Sequence, residues 1–196
     1  MIDNRKDILL LLLYSPGHGD TPNEPIVGRT RLVKMLFLFK QELLPILKQE
    51  GGIEIGEDNF YEFFAWDFGP FSTQVYDDIN FFLLRAFVTS NASTGEALPE
   101  SAAEWHEWLS AVDEDPDSDK ATEYQEEEFV LTDRGAEFAS DLYEELSSNQ
   151  KEALRMFKKK LSKAALRGLL RYVYKQYPKY TTASKIKADV LGDYVA

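Results

Sequence analysis

The chain has 196 residues, of which 44% are hydrophobic and 13% aromatic, so it can bury a sizeable core and is not a wholly disordered protein. Its formal net charge is −12, which argues against a general nucleic-acid binder. Cysteine is absent and only two histidines occur. Disulfides, thiolate nucleophiles, cysteine-ligated metals and a multi-histidine metal site within one chain are therefore excluded.

The first apolar run, Ile8–Tyr14, reaches only about 10 Å as a helix, far short of the roughly 30 Å hydrocarbon core of a membrane. Asp3 and Asp7 precede it, where a signal peptide carries positive charge. We therefore predict a short buried helix over residues 3–14, no membrane segment and a cytoplasmic location.

A second helix is predicted over residues 28–48, because apolar residues recur there at steps of three and four. Thr30 is the expected N-cap, and Pro45 is expected to kink or end the helix. The aromatic-dense stretch 59–72 begins like a strand and is interrupted by Gly69 and Pro70. Ser72 is the expected N-cap of a third helix, which continues to about Val88.

In the second half of the sequence we predict loops, one strand and further helices. We expect a polar loop (89–100), a short helix or irregular segment (104–112), a mobile acidic loop (113–128), a strand within 124–135 and a helix (134–147) capped by Thr132 or Asp133. A long basic helix over 150–176, capped by Ser148 or Asn149 and ended by Pro178, and a last short helix within 181–191 complete the chain.

This order of elements predicts an α+β, mainly helical fold, with a winged-helix-like core and a helical C-terminal extension. The charge distribution favours the same division. Residues 151–196 hold 12 of the 22 Lys and Arg residues but only 3 of the 34 Asp and Glu residues. We therefore expect an acidic winged-helix-like domain over 1–148 and a basic helical extension over 149–196 packed on it.

Several segments resemble known families. They are GRTRLVKMLFLF (28–39), FYEFFAWDFGPFSTQVYDDINFFLLRAF (60–87), EFVLTDRGAEFA (128–139) and LLRYVYKQYPKYTTASKIK (169–187). Together they resemble the YwgA-like family and, more distantly, the SocA/Panacea phage-associated antitoxin-like proteins. The resemblance implies a small cytoplasmic prokaryotic protein from a mobile-element, defence or toxin–antitoxin context. It also implies regulation or neutralisation of a partner, without enzymatic activity.

The corner before the third helix is a candidate partner-binding face, although a purely structural corner would use the same residues. Its residues are Gly69, Pro70, Phe71, Ser72, Gln74, Tyr76, Asp77 and Asp78. The carboxylates would repel phosphates, so this helix favours a protein partner over DNA. Arg29, Arg31 and Lys34 would contact the same partner or a phosphate, or would pair with the protein's own acids.

The C-terminal cations support an alternative function, that of a winged-helix DNA-binding transcriptional regulator. The residues concerned are Lys158, Lys159, Lys160, Lys163, Arg167, Arg171, Lys175 and Lys179. They would follow a phosphate backbone with tyrosines nearby for stacking, or form a solvated helix face docked beside the acidic body.

Catalytic and metal motifs are lacking in the sequence. His106-Glu107 is not followed by a second histidine at the zinc-site spacing, and no nucleophile elbow, P-loop or dinucleotide fingerprint occurs. Asp115, Asp117, Asp119 and Glu126 imitate a calcium loop, but Lys120 stands where that loop needs glycine. We therefore expect a non-enzymatic protein without metal or cofactor, which binds a partner protein and is compatible with a homodimer.

Overall fold

A computed structural model describes residues 2–91 and 127–192. Within these ranges the protein is mainly helical with two small sheets, which agrees with the α+β class expected from the sequence. The α-helices are α1 (Arg5–Tyr14), α2 (Arg29–Leu38), α3 (Leu44–Leu47), α4 (Thr73–Leu84), α5 (Asp133–Glu144), α6 (Ser148–Lys163), α7 (Leu166–Gln176) and α8 (Lys187–Leu191). None of the described helices combines the length and apolar character needed to cross a bilayer.

Two antiparallel sheets accompany the helices. The strands are β1 (Ile26–Val27), β2 (Phe64–Trp66), β3 (Gly69–Phe71), β4 (Val88–Ser90) and β5 (Glu128–Leu131). In the larger sheet the order is β1-β5-β4, so β5, the last strand in the sequence, pairs with both β1 and β4 and lies between them. The smaller sheet is the hairpin β2-β3.

Helix α1 is the centre of the core. Residues Ile8 to Leu13 are all buried, so the helix is apolar all round rather than amphipathic, as expected for a helix enclosed on every side. The side chain of Asn4 accepts hydrogen bonds from the amides of Lys6 and Asp7, which satisfies two open donors of the first turn. The predicted core helix over residues 3–14 is confirmed.

The predicted helix over 28–48 is interrupted. It begins after Gly28 rather than at Thr30, and a π-helical segment, Phe39–Leu43, separates α2 from α3. Pro45, which cannot donate an intrahelical hydrogen bond, lies just after the π-helical segment. Leu38, Leu43 and Leu44 keep right-handed helical dihedrals, so the helix is irregular here rather than ended.

Helix α4 ends at Leu84, earlier than predicted, and Val88 opens strand β4 instead. The chain turns at Ala86, whose φ is +52°. Gly135, in the first turn of α5, lies so close to this turn that an added Cβ would stand 2.0 Å from the carbonyl oxygen of Phe87. Only glycine fits there.

The predicted long helix over 150–176 is two helices, α6 and α7, so the prediction of one continuous helix is wrong. The chain is extended at Ala164 and Ala165, and Gly168, the expected bend, lies inside α7. The N-cap of α6 is Ser147, which forms a capping box with Gln150, rather than Ser148 or Asn149.

Buried side chains of the C-terminal extension belong to the same hydrophobic core as α1 and α2. Leu154 and Leu161 of α6 and Leu170 and Val173 of α7 are all part of it. The segment predicted at 104–112, and almost all of the acidic loop predicted at 113–128 with its calcium-like motif, lie outside the described residues.

Candidate functional site

The hairpin β2-β3 forms the corner that the sequence singled out. Phe64 pairs with Phe71 and Trp66 with Gly69 across the hairpin. Gly69 has φ +87°, and an added Cβ would stand 2.7 Å from the ring of Tyr174. Gly69 is therefore required both for the backbone conformation and for the close approach of α7.

Three aromatic side chains lie together on the hairpin, and we call Phe64, Trp66 and Phe71 the hairpin aromatic surface. Trp66 is 51% exposed and Phe64 is 40% exposed. The ring of Trp66 stacks on Phe71 at 6.2 Å between centroids, and Phe64 contacts both rings edge-on. Large apolar side chains that stay exposed while packed against one another are typical of a binding surface.

The hairpin is held in place from several directions. Lys185 donates from its amide to the carbonyl of Asp67 in the turn (2.8 Å), and its ammonium pairs with the Asp67 carboxylate (2.5 Å). Lys34 donates to the carbonyl of Pro70 from below (2.9 Å). These contacts fix the position of the hairpin before any partner binds, which limits the conformational entropy lost on binding.

Several residues predicted to touch a partner lie in the interior instead. Lys34, Gly69, Pro70, Ser72 and Asp78 are buried, so the expectation that they contact a partner is corrected. Burial alone lowers the pKa of Lys34 to about 7. Asp78 accepts from Arg5 at 2.7 Å and pairs with Lys6 at 2.9 Å, which ties α4 to α1.

Ser72 occupies the N-cap position of α4, but its side chain makes no capping hydrogen bond. Its buried hydroxyl has no partner among the described residues. Gln74 accepts instead from the amide of Glu62, and Asp77 is the carboxylate of the first turns that remains exposed.

The two arginines at the start of α2 make contacts within the protein. Arg29 forms an ion pair with Glu127 and lies over the ring of Tyr76 at 5.2 Å. Burial opposes ionisation of Glu127, but hydrogen bonds from Arg29 and Ser90 hold its pKa below its ordinary value. Arg31 donates to the carbonyls of Leu161 and Ala164 at 2.7 and 2.6 Å.

One of the C-terminal cations predicted to contact nucleic acid lies in the core. Lys158 is fully buried, and its ammonium donates to the carbonyls of Leu13, Ser15 and Glu24 at 2.7, 2.8 and 2.9 Å. Burial lowers its pKa to about 7, against the attraction of the Glu24 carboxylate. Lys158 is an internal anchor, so its assignment to a nucleic-acid surface is wrong.

Lys159, another of these cations, and the neighbouring Arg155 are paired with acids. Lys159 and Arg155 both bind the carboxylate of Asp20, and the hydrogen bond from Lys159 is the largest cause that lowers the pKa of Asp20. Arg155 also pairs with Glu152. This part of the helix therefore docks beside the acidic body, which is the alternative to phosphate binding that the sequence left open for these cations.

A smaller group of cations remains at the surface, and we call it the basic face. It comprises Lys160, Lys163, Arg167, Arg171, Lys175 and Lys179. Lys160 lies over the ring of Tyr172 at 5.9 Å, and Arg167 donates to the carbonyl of Asp189 at 3.2 Å. Arg171 and Lys175, one turn apart on α7, are exposed.

Sequence reasoning missed the pairing of Phe64 with Trp66. The two residues are separated by one position, so on a strand they project from the same face. The surrounding run of aromatics hides this alternation, since Phe60, Tyr61 and Phe63 are buried.

The described residues contain no cluster of three or more acidic or histidine side chains that could hold a metal ion. Comparison of the chain with protein-family models, with curated proteins and with solved structures finds no match. An assignment of function therefore rests on the geometry of the hairpin aromatic surface and the basic face.

Proposed function

We propose that this protein is a non-enzymatic, antitoxin-like interaction protein that binds a partner protein through the hairpin aromatic surface and the adjoining helix α4. The observation that carries the proposal is the half-exposed Trp66, stacked on Phe71 and flanked by Phe64 on a fixed hairpin. Tryptophan is one of the side chains enriched among the few residues that supply most of the binding energy at protein interfaces.

The topology supports a winged-helix-like core as the frame for this surface. Helix α1 is followed by β1, by α2 and α3, by the hairpin β2-β3, by α4, and by β4 and β5, and the strands outside the hairpin lie in the order β1-β5-β4. In a winged helix the strands take this order, and the helix before the second strand of the sheet is the one that reads a ligand. On this proposal α4 corresponds to that helix, and the hairpin is an insertion before it.

The exposed side chains of α4 favour a protein partner over DNA. Asp77, Asn80 and Leu84 face solvent, and Leu84 is 87% exposed. A carboxylate and apolar groups at this position would meet phosphates unfavourably. The acidic charge of the body suits a partner with a basic surface, such as a protein that itself acts on nucleic acid.

The proposal is tested by capturing proteins from the native host with the purified wild-type chain and with the double variant Phe64→Ser/Trp66→Ser. A single stoichiometric partner should bind the wild type and should be lost with the double variant. Met156→Ser, which removes an equally exposed apolar side chain from α6, is the matched control and should retain the partner.

Retention of the partner by the double variant would contradict the proposal. Sedimentation of the purified chain measures its oligomeric state and so tests a third outcome. A dimer that dissociates in the double variant would mean that a second copy of the chain occupies the hairpin. That result would replace the foreign partner with self-association.

The basic face supports a second candidate function, DNA binding by a transcriptional regulator. Its cations Lys163, Arg171 and Lys175 are exposed and make no ion pair with a described carboxylate. DNA binding that weakens steeply with salt and is abolished by Lys163→Glu/Arg171→Glu/Lys175→Glu would favour this function. No DNA binding at about 100 mM salt would reject it.

A further inference from the structure

An open cleft lies between α1, α4 and α5, at the C-terminal end of α4. Its volume is about 370 Å³. Four phenylalanine rings line it, those of Phe81, Phe82, Phe87 and Phe138. Phe81 and Phe138 remain 43% and 47% exposed, so the rings present apolar surface to solvent. The volume falls within the range of small-molecule sites, roughly 300–1,000 Å³.

Three cations stand at the mouth of this aromatic cleft. Lys6 and Arg85 lie over the ring of Phe81, at 5.4 and 5.7 Å, and Arg134 lies over Phe87 at 4.5 Å. Lys6 is already paired with Asp78. Neither arginine pairs with a carboxylate of residues 2–91 or 127–192, although Arg134 donates to the carbonyl of Arg85 at 3.3 Å.

Among the described residues, one carboxylate lines the cleft, that of Asp7. It accepts a hydrogen bond from the side-chain amide of Asn4 at 2.7 Å, which directs it toward the start of α1. Burial is the largest influence on its pKa and raises it. The mouth of the cleft is therefore cationic, in a protein whose formal net charge is −12.

We propose that this cleft binds a small anion with an apolar body, an aryl or alkyl carboxylate or sulfonate, whose charged group pairs with Arg85 and Arg134. The phenylalanine rings would cover the apolar body, and planar guanidinium groups match the geometry of such an anion. Arg85 directly follows α4 and Arg134 lies in the first turn of α5, so the bound anion would connect the end of one helix with the start of the other. The cleft shares α4 with the proposed partner surface but includes none of the residues of the hairpin aromatic surface, and its test needs no partner.

The probe for this site is 8-anilinonaphthalene-1-sulfonate, an aromatic anion whose fluorescence rises when it is bound. We expect saturable binding to one site per chain. Octanoate should displace the probe, whereas octanol, which has the same chain without the charge, should compete about tenfold more weakly because it cannot pair with the arginines.

The double variant Arg85→Gln/Arg134→Gln should weaken probe binding about tenfold or more, and Phe138→Ser should weaken it as well. Lys163→Gln/Arg171→Gln, which removes the same charge from the basic face, is the control and should leave binding unchanged. Circular dichroism and thermal unfolding establish that each variant is folded.

Three results would overturn the proposal: absence of saturable binding, equal competition by octanol and octanoate, or unchanged affinity in the Arg85→Gln/Arg134→Gln variant. Loss of probe binding in Trp66→Ser alone would do the same, because it would move the probe to the hairpin.

Discussion

At the residue scale, two buried lysines carry much of the connection between distant segments. Lys158 spans the end of α1 and the start of the β1 segment by three carbonyl contacts, which match the three donors of an ammonium group. Lys34 supports the hairpin from beneath through one carbonyl. Lysine is normally a surface residue, but both lysines stand among the apolar residues that form the buried faces of α2 and α6.

Replacing Lys158 by methionine should lower the free energy of unfolding by about 2–4 kcal/mol, because it leaves three carbonyl oxygens buried without a donor. Lys160→Met, two positions along the same helix but exposed, is the control and should change stability by less than about 0.5 kcal/mol. Urea denaturation of the two variants measures the difference. Equal stability of Lys158→Met and the control would show that the three contacts contribute nothing.

The buried lysines also predict how stability depends on pH. Burial lowers the pKa of Lys34 to about 7, whereas the unfolded chain keeps the ordinary value near 10.5. The unfolded state therefore binds more protons between these values, and stability should rise with pH from about 7 upward, by at most about 1.4 kcal/mol per unit for each such lysine. Below pH 7 the contribution of Lys34 is constant.

Lys34→Met should flatten this rise, leaving only the share that belongs to Lys158, whose pKa is lowered in the same direction. Urea denaturation between pH 7 and 9.5 measures the slope; it stays below the range in which tyrosines with raised pKa, such as Tyr174, begin to matter. A slope that is the same in the wild type and in Lys34→Met would contradict a neutral buried lysine.

At the scale of elements, the break between α6 and α7 is stabilised from another part of the chain. Arg31 donates to the carbonyls of Leu161 and Ala164. Because α6 ends here, these carbonyls have no backbone N–H of a following turn to bind, and the arginine supplies the missing donors. A repeating pattern of bases and apolar residues runs straight through the break. Because the arginine that binds these carbonyls lies 130 residues from Leu161 in the sequence, periodicity alone predicts one helix.

Two glycines in neighbouring elements should respond in opposite ways to alanine. Gly69→Ala should destabilise the protein by more than about 1 kcal/mol, because φ is positive and Tyr174 occupies the space. Gly168→Ala should stabilise it by about 0.5 kcal/mol, because alanine favours the helix and, apart from the backbone of α7 itself and the adjacent residues, no described atom lies within 4 Å of the added Cβ. Thermal unfolding measures both; a stabilising Gly69→Ala would contradict the packing of the hairpin against α7.

At the scale of the whole molecule, some of the cations concentrated in the C-terminal part of the sequence pair with the acidic body, and others stay exposed. Arg155 and Lys159 pair with Asp20 of the acidic body, while Arg171 and Lys175 remain exposed on α7. The sequence could locate most helical segments, because apolar periodicity is local, but it missed the break between α6 and α7 and the N-caps of α2 and α6. It could not assign each cation to the inside or the outside, because that depends on which carbonyls and carboxylates the fold brings near.

In the candidate site, too, local features could be predicted from the sequence, whereas exposure could not. Gly69 and Pro70 could be recognised as a corner from the sequence, since the conformational preferences of glycine and proline are local. The exposure of Phe64 and Trp66 could not, since it depends on what covers the hairpin once α7 has packed behind it. A lysine that falls on the apolar face, four residues after Leu154 and three before Leu161, is a signal that could have identified Lys158 as buried.

The most direct measurement of the central claim is amide hydrogen exchange of the protein alone and bound to the partner isolated from its native host. We predict that binding slows exchange in residues 64–71 and in helix α4, with α6 and α7 unchanged. Slower exchange confined to α7 and the basic face, with the hairpin unaffected, would contradict binding through the hairpin aromatic surface.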